Sequence, residues 1–425
     1  MSGGVDSSVA AALLEKRGFD VVGVHMRCYN VDGCAEQDAH DARRAAEVLG
    51  IPFYVFDFED EYKEKVVEYM VRGYREGITP NPDVMCNKEI KFGLFLKKAL
   101  EMGADYVATG HYVRRRYSPT RTGGSSAPAA EARLRSRSDG SLRQLADRNQ
   151  AHRSSDGFST ENTGSSLVSG NKVFSLFMAK DGNKDQSYFL WTLMQEQLRY
   201  CLFPIGEYIK PKVRELARKF GLPNADKKDS QGICFLGKVT LQDFLKEYIP
   251  EKRGLVFTTT GEQIGEHAGV HYYTIGQRHI GVANSKSQIA NRVDANPKPV
   301  YVAEKDVKTN TLVVAEGNDS PALYRKEIEL TNVNFIDPQH SNILQNVGIS
   351  GMEVYARVRY RQPLAKATLV ISNSQLVNGN TNRKNQLPVT NYQLLFDTPI
   401  KFVAPGQSAV FYSKNGEMLG GGIIV

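Results

Sequence analysis

Near the start of the chain stand Ser2, Gly3, Gly4, Val5, Asp6, Ser7 and Ser8. Two glycines without Cβ atoms let backbone N–H groups approach an anion, and the Ser7 and Ser8 hydroxyls stand where a helix would begin. The helix predicted over residues 9–17 points its positive dipole end at the same place. Together they could cradle a phosphate or pyrophosphate. The Gly-Lys-Ser/Thr ending of a Walker loop is absent, and an ordinary turn with an N-cap is the competing reading. Two cysteines offer different chemistry. Asp83 and Cys86 are three positions apart, so one helical turn would set a carboxylate beside a thiol. Pro80 and Pro82 stiffen that segment and should hold Asn81 and Asp83 out of regular structure. A helix predicted over residues 88–102 would lower the Cys86 thiol pKa through its N-terminus. Cys234 follows Lys227 and Lys228, which could stabilise a thiolate, and Gly232 permits close backbone approach. For each cysteine alone, a buried structural thiol competes with a reactive one.

The elements that must hold these residues alternate. Helices are expected over 9–17, 38–49, 61–75 and 88–102, and strands over 19–26, 53–58 and 104–109. Such alternation predicts a parallel sheet with helices on both faces, and ligands at the carboxyl ends of its strands. Met26 and the Thr109-Gly110-His111 turn should then lie near the Ser2–Ser8 loop. A loop of this type should follow a strand, yet only Met1 precedes it, so a sheet lacking that strand is expected. Residues 117–170 are rich in Ser, Arg, Gly and Ala and poor in large apolar side chains, which predicts a disordered insertion. Smaller polar insertions fall near 284–296 and 372–390. A helix is expected over 211–220. Short β-rich runs follow at 255–259, 270–275, 300–304, 311–315, 354–360, 367–371, 392–396, 408–412 and 421–425, suggesting a small C-terminal barrel.

Composition narrows the classes. At 425 residues, 41% of them hydrophobic, the chain should form two or three cored domains. No apolar run would span a membrane, and no basic segment precedes an apolar one, so neither membrane nor export signal is expected. The net charge of +7 permits a polyanionic partner without requiring one. Five cysteines, an odd and sparse set, argue against a disulfide scaffold and for thiols in a reducing, cytoplasmic setting. No Cys-x-x-Cys pair occurs and the eight histidines lack zinc-type spacing, so no metal site is expected.

Taken together, the residues carry a resemblance. The Ser2–Ser8 loop resembles the PP-loop of the ATP pyrophosphatases. Stretches 79–92, 108–112, 184–190, 203–207, 228–235, 273–281, 358–362, 405–412 and 419–424 resemble, in order, the bacterial tRNA 2-thiouridylases. The resemblance implies an α/β fold: a PP-loop (adenine nucleotide alpha hydrolase-like) parallel-sheet domain over 1–200, a central linking domain over 201–283 and a C-terminal β-barrel over 284–425. It implies ATP held by Ser2, Gly3, Gly4, Val5, Asp6, Ser7 and Ser8, with Mg2+, and Met26 and Gly110 lining the nucleotide. Cys234 would carry a persulfide, Cys86 would be its partner, and Asp83 the acid–base group. Asn81, Pro82 and Asp83 would hold the wobble uridine. His111, Lys184, Asp185, Gln186, Arg359, Tyr360 and Gln407 would contact tRNA. A persulfide-bearing donor protein is also implied. Whether the persulfide attacks the base directly or releases sulfide first stays open. So do two other functions: an adenylating enzyme that needs neither cysteine, and a tRNA-binding relative impaired by the absent strand.

Overall fold

The computed structural model describes residues 1–31, 33–119, 172–229, 233, 235–237, 239–278, 280, 298–347, 351–372 and 391–425. Cys234 lies outside them, as do residues 120–171, the bulk of the expected insertion.

Helix α1 spans Val5–Lys16 and starts earlier than expected. Gly4 is extended at its N-cap, and the Ser7 and Ser8 hydroxyls both donate to the Gly4 carbonyl, so the loop turns directly into the helix. Val5, Val9, Ala10 and Leu13 bury against Ala45, Tyr112, Val213 and Ala217. Strand β1 (Gly23–Arg27), helix α2 (Cys34–Leu49) and β2 (Phe53–Asp57) follow, with β1 and β2 parallel. Strands β3 (Val107–Ala108), β4 (Val113–Pro119), β5 (Lys172–Met178) and β6 (Cys201–Leu202) come next, and β3 pairs in parallel with β6. The expected parallel character is therefore present, in two separate two-stranded pieces. The Met1 carbonyl accepts from His25 Nδ1, and its amino group donates to Val24, so the residue ahead of the loop runs alongside β1.

In the central region, β7 (Gly254–Thr258), β8 (Gln263–His267), β9 (Val300–Asp306) and β10 (Thr311–Glu316) form one sheet in the order β8-β7-β10-β9. It draws strands from both sides of the expected 283/284 division. The strand expected over 270–275 is instead a short 3-10 turn, Val270–Tyr272. There the Val270 N–H donates to the Asn310 side chain rather than to a neighbouring strand.

Six strands close the C-terminal barrel: β11 (Tyr324–Phe335), β12 (Met352–Arg357), β13 (Ala365–Ser372), β14 (Asn391–Lys401), β15 (Ser408–Tyr412) and β16 (Glu417–Ile424). The order is β11-β14-β13-β12-β15-β16, and β16 pairs back onto β11. Leu330, Val354, Leu369, Leu394 and Phe411 fill it. The antiparallel β4–β5 pair of the first region adds to β16 at Phe177 and Leu176, so the barrel wall and the N-terminal region share one sheet. Trp191 locks this join: its indole N–H donates to Ser408 Oγ at 3.0 Å, and a Cβ on Gly421 would lie 2.7 Å from its ring.

Candidate active site

The anion cradle is tight and pre-shaped. Gly3 sits at φ +72°, and a Cβ there would fall 2.4 Å from the Asp38 carbonyl oxygen. Gly110, at the end of the β3 turn, lies so close to α1 that its Cβ would be 2.6 Å from the Ser7 nitrogen. Only glycine fits either place. Ser2 N–H donates to Ser7 Oγ at 3.0 Å, which folds the loop over the helix start. Met26, near the end of β1, is half-buried against the neighbouring core. The donors expected from Ser2–Ser8 are thus grouped at one helix N-terminus, with Gly110 against them.

A charged cluster flanks this loop. Lys210, from the helix Lys210–Lys219, is buried, and its Nζ lies 2.8 Å from both Asp6 oxygens and 2.8 Å from Asp229. Tyr112 also donates to Asp6, at 2.8 Å. Burial alone would raise the Asp229 carboxyl, but hydrogen bonds from Lys184 and Lys210 hold it at about 2. Arg214 adds a further donor to Asp229 at 2.9 Å. Asn224 Nδ2 donates to the Gly3 carbonyl and to Ser8 Oγ, each at 3.0 Å. Lys227 pairs with Asp38 and Asp41 of α2. Residues 224–229, which lead toward Cys234, are therefore fastened to the loop and to α2. Cys234 itself lies outside the described residues.

The Asp83–Cys86 segment is apolar by contrast. The sequence led us to expect Asn81 and Asp83 outside regular structure and a helix from residue 88. Asn81 does lie outside, extended at the N-cap, but the helix starts at Pro82, and Pro82–Met85 runs on into Cys86–Phe95 and Leu96–Glu101. The reason is local: Asn81 Oδ1 accepts from Val84 N–H at 3.2 Å, and proline at the first helical position needs no partner for its nitrogen. Asp83 thus belongs to the first turn, and Cys86 follows one turn on, buried at 3% exposure. Burial pushes the Asp83 carboxyl up, while the charge of Lys91 pulls it partly back. His111 is buried between Phe92 and Phe203, and Thr109 Oγ1 lies 2.8 Å from its Nδ1. Burial, helped by Lys91, holds its pKa well below the ordinary value, so the ring is neutral at pH 7.

A half-buried acid stands one helical turn from a thiol, and the chemistry open to such a pair is proton transfer and nucleophilic substitution. Comparison with known proteins gives the family. The model of the tRNA methyl transferase HUP domain matches residues 1–238, that of the PRC-barrel domain 242–316, and that of the aminomethyltransferase beta-barrel domain 325–424. The tRNA-specific 2-thiouridylase MnmA of Lactobacillus johnsonii is 37% identical over 430 residues, covering 100% of this chain and 93% of the relative. That of Bacillus cereus (strain ATCC 14579) is 38% identical over the same spans. The chain belongs to the tRNA-specific 2-thiouridylase family.

Among the residues expected to meet tRNA, Asp185 is buried, whereas Lys184, Gln186, Arg359, Tyr360 and Gln407 are half-buried. Lys184 pairs with Asp229, Gln186 accepts from Tyr112 N–H, and Tyr360 stacks near Phe189 with ring centroids 4.5 Å apart. Asp185, Arg359 and Gln407 are engaged inside the protein. The fully buried Asp185 carboxylate pairs with Arg357 and accepts from Ser187 and Ala179. Arg359 donates to the Phe402 and Ile275 carbonyls, and Gln407 to those of Thr79 and Pro80. Sequence reasoning missed Lys210, Tyr112 and Asn224, whose contacts with the loop join positions 204, 106 and 221 residues apart. No local pattern marks such pairs. Cys201, which has no role in the reading, is buried with its thiol donating to Gln197 and its pKa pushed up to about 12.

Proposed function

We propose that this chain uses ATP to place sulfur on the 2-position of the wobble uridine of tRNA. The observation that carries the reading is the joint presence of the Ser2–Ser8 cradle and the Asp83–Cys86 helical turn in a chain of the thiouridylase family. The cradle suits phosphates: glycine backbone, three hydroxyls and a helix N-terminus converge there. ATP held by Ser2, Gly3, Gly4, Val5, Asp6, Ser7 and Ser8, beside Met26 and Gly110, would supply the AMP group that makes the uridine C2 oxygen a good leaving group. Mg2+ would offset the phosphate charge.

The chain's own residues then handle the base and the sulfur. Asn81 and Pro82 form a rigid wall for a uridine drawn out of the anticodon loop. Asp83, raised toward its neutral form by burial, holds or moves a proton at the base. The outer sulfur of a Cys234 persulfide attacks C2 and AMP departs. The Cys86 thiolate then attacks the inner sulfur, so the C2–S bond stays with the tRNA and a Cys86–Cys234 disulfide forms. That disulfide must be reduced by an external thiol before the next turn. A persulfide-bearing protein reloads Cys234. Lys184, Gln186 and Tyr360 provide the tRNA face near the site, with His111 behind the base.

The test is direct. Protein, ATP, Mg2+, a persulfide-bearing sulfur donor and unmodified tRNA are incubated, and thiolated tRNA is resolved on a mercury-containing gel. A retarded band that requires ATP, Cys86 and Cys234 supports the reading. Full thiolation by Cys86→Ser or Cys234→Ala would overturn the assigned sulfur chemistry.

A further inference from the structure

We propose that Gln407, on the C-terminal barrel, is a positioning residue that sets the Asp83–Cys86 turn through the backbone of Thr79 and Pro80. The inference rests on the reading that Asp83 and Cys86 act on the base. Gln407 Nε2 donates to the Thr79 carbonyl at 2.9 Å and the Pro80 carbonyl at 3.2 Å. In return, Thr79 N–H donates to the Pro405 carbonyl at 2.8 Å. Between these bonds lies Gly406 at φ +87°, packed so closely that a Cβ would sit 3.0 Å from three backbone atoms of Thr79. The barrel loop is itself anchored, because Gly406 N–H donates to the Ile424 carbonyl and Ile424 N–H to the Gln407 carbonyl, both at 2.8 Å.

The grip is transmitted without slack. Pro80 and Pro82 have fixed φ, and Asn81 between them is buried and caps the helix that carries Asp83 and Cys86. Pro80 also packs on Gly73, where a Cβ would lie 2.9 Å from its ring. The central domain holds the same point: Thr79 Oγ1 donates to Thr274 Oγ1 at 3.3 Å. Arg359 completes the junction by donating both to Ile275, next to Thr274, and to Phe402 on the barrel loop. Thr79 is therefore where all three domains meet, immediately ahead of the proposed chemistry. The Gln407 amide nitrogen faces the segment that leads into Asp83 and Cys86.

The experiment compares Gln407→Glu, which turns a carboxylate toward two carbonyls, with Gly406→Ala, which pushes on Thr79. Single-turnover thiolation at saturating tRNA and ATP is measured beside tRNA affinity and thermal stability. Both variants should slow thiolation roughly tenfold or more, since small misplacement of reacting groups is costly. Their tRNA Kd should change by much less than the rate, as for a group that acts on the reacting segment. If Gln407→Glu does not fold, Gln407→Ala, which removes both bonds without adding charge, is read in its place. A weakened Kd with an unchanged saturating rate would make Gln407 a tRNA contact and overturn the proposal. An unchanged rate and Kd with only a lowered melting temperature would reduce it to a fold-stabilising group. Asp83→Asn and Cys86→Ser run in the same assay separate the two levels. Full activity in those variants defeats the underlying reading, whereas their loss beside a normal Gln407→Glu defeats this inference alone.

Discussion

The two halves of the proposed site treat charge in opposite ways. At the Ser2–Ser8 loop, the flanking charges are paired: Asp6 with Lys210 and Tyr112, Asp229 with Lys184, Lys210 and Arg214, Lys227 with Asp38 and Asp41. At the Asn81–Cys86 turn, burial discourages charge, raising Asp83 and lowering His111. A loop that meets a polyanion needs fixed countercharges that stay ionised. A pocket that handles one uncharged base and a proton needs groups poised between their two forms. The difference fits the proposed division, with nucleotide binding at one end and proton and sulfur chemistry at the other.

Removing the chemistry at the buried end should have the largest effect. Cys86→Ser should lower single-turnover thiolation by about 10³-fold or more, as expected for a lost nucleophile. Asp83→Asn should cost roughly 10²–10⁴-fold, the range for a lost acid–base group. In both, tRNA binding measured by filter retention should change little. Substantial thiolation by Cys86→Ser would move the chemistry away from this turn.

Breaking the charged end should cost less. Lys210→Met leaves Asp6 and Asp229 sharing a site without their common cation. Loss of a fully buried partner costs about 3–5 kcal/mol, but both aspartates are about a third exposed to water, which reduces the expected penalty to about 1–2 kcal/mol. The KM for ATP should rise roughly tenfold, with a smaller change at saturating ATP. Steady-state titration of ATP reads this. An unchanged KM would show that Lys210 serves only the fold.

The pH response sharpens the same contrast, with a smaller amplitude. His111 titrates well below 6.5 in the fold, so between that lowered value and 6.5 the unfolded chain binds more protons. Its contribution to stability is complete above about 6.5 and is lost as pH falls toward the lowered value. His111→Gln should flatten that decline in denaturant melts between about pH 5 and 7. Asp83 acts with the opposite sign. Its raised pKa means the folded state keeps the proton longer, so its contribution fades as pH rises through the folded value from 3.8 upward. A melt series for His111→Gln that parallels the parent would show that His111 is not held neutral.

Local signals carried much of this into view. The Ser-Gly-Gly run, its following helix, the parallel pairing of β1 with β2 and the short strands of the barrel follow from turn chemistry, capping and alternation. What escaped depends on distant partners. Lys210 reads as an unremarkable helix start beside Pro211 until the fold brings Asp6 to it. Gln407 reads as one polar residue in a β-rich run until Thr79 lies beneath it. Residues 270–275 look like a strand, but Asn310 captures the Val270 N–H that a ladder would use. At Asp83 the error was one of weighting: two prolines suggested a break, yet Asn81 ahead of Pro82 is an N-cap followed by the first helical residue.

The smallest expected effect tests a region belonging to neither half of the site. Strands β4 and β5 pair through Ser118↔Val173 and Pro119↔Lys172, so the ends of the 120–171 stretch already lie side by side. A short turn can therefore join them without moving either strand. On the compositional expectation of a flexible insertion, replacing roughly 50 residues by about four relieves loop-closure entropy of about 2 kcal/mol. The shortened chain should melt at a higher temperature, while its thiolation rate and ATP KM stay within about twofold of the parent. The mercury-gel assay and a thermal melt on the same preparation read both. A large loss of rate with the melting temperature preserved would give the insertion, through its arginines, a direct part in holding tRNA. The site would then have a third, basic region beyond the paired and the buried ends.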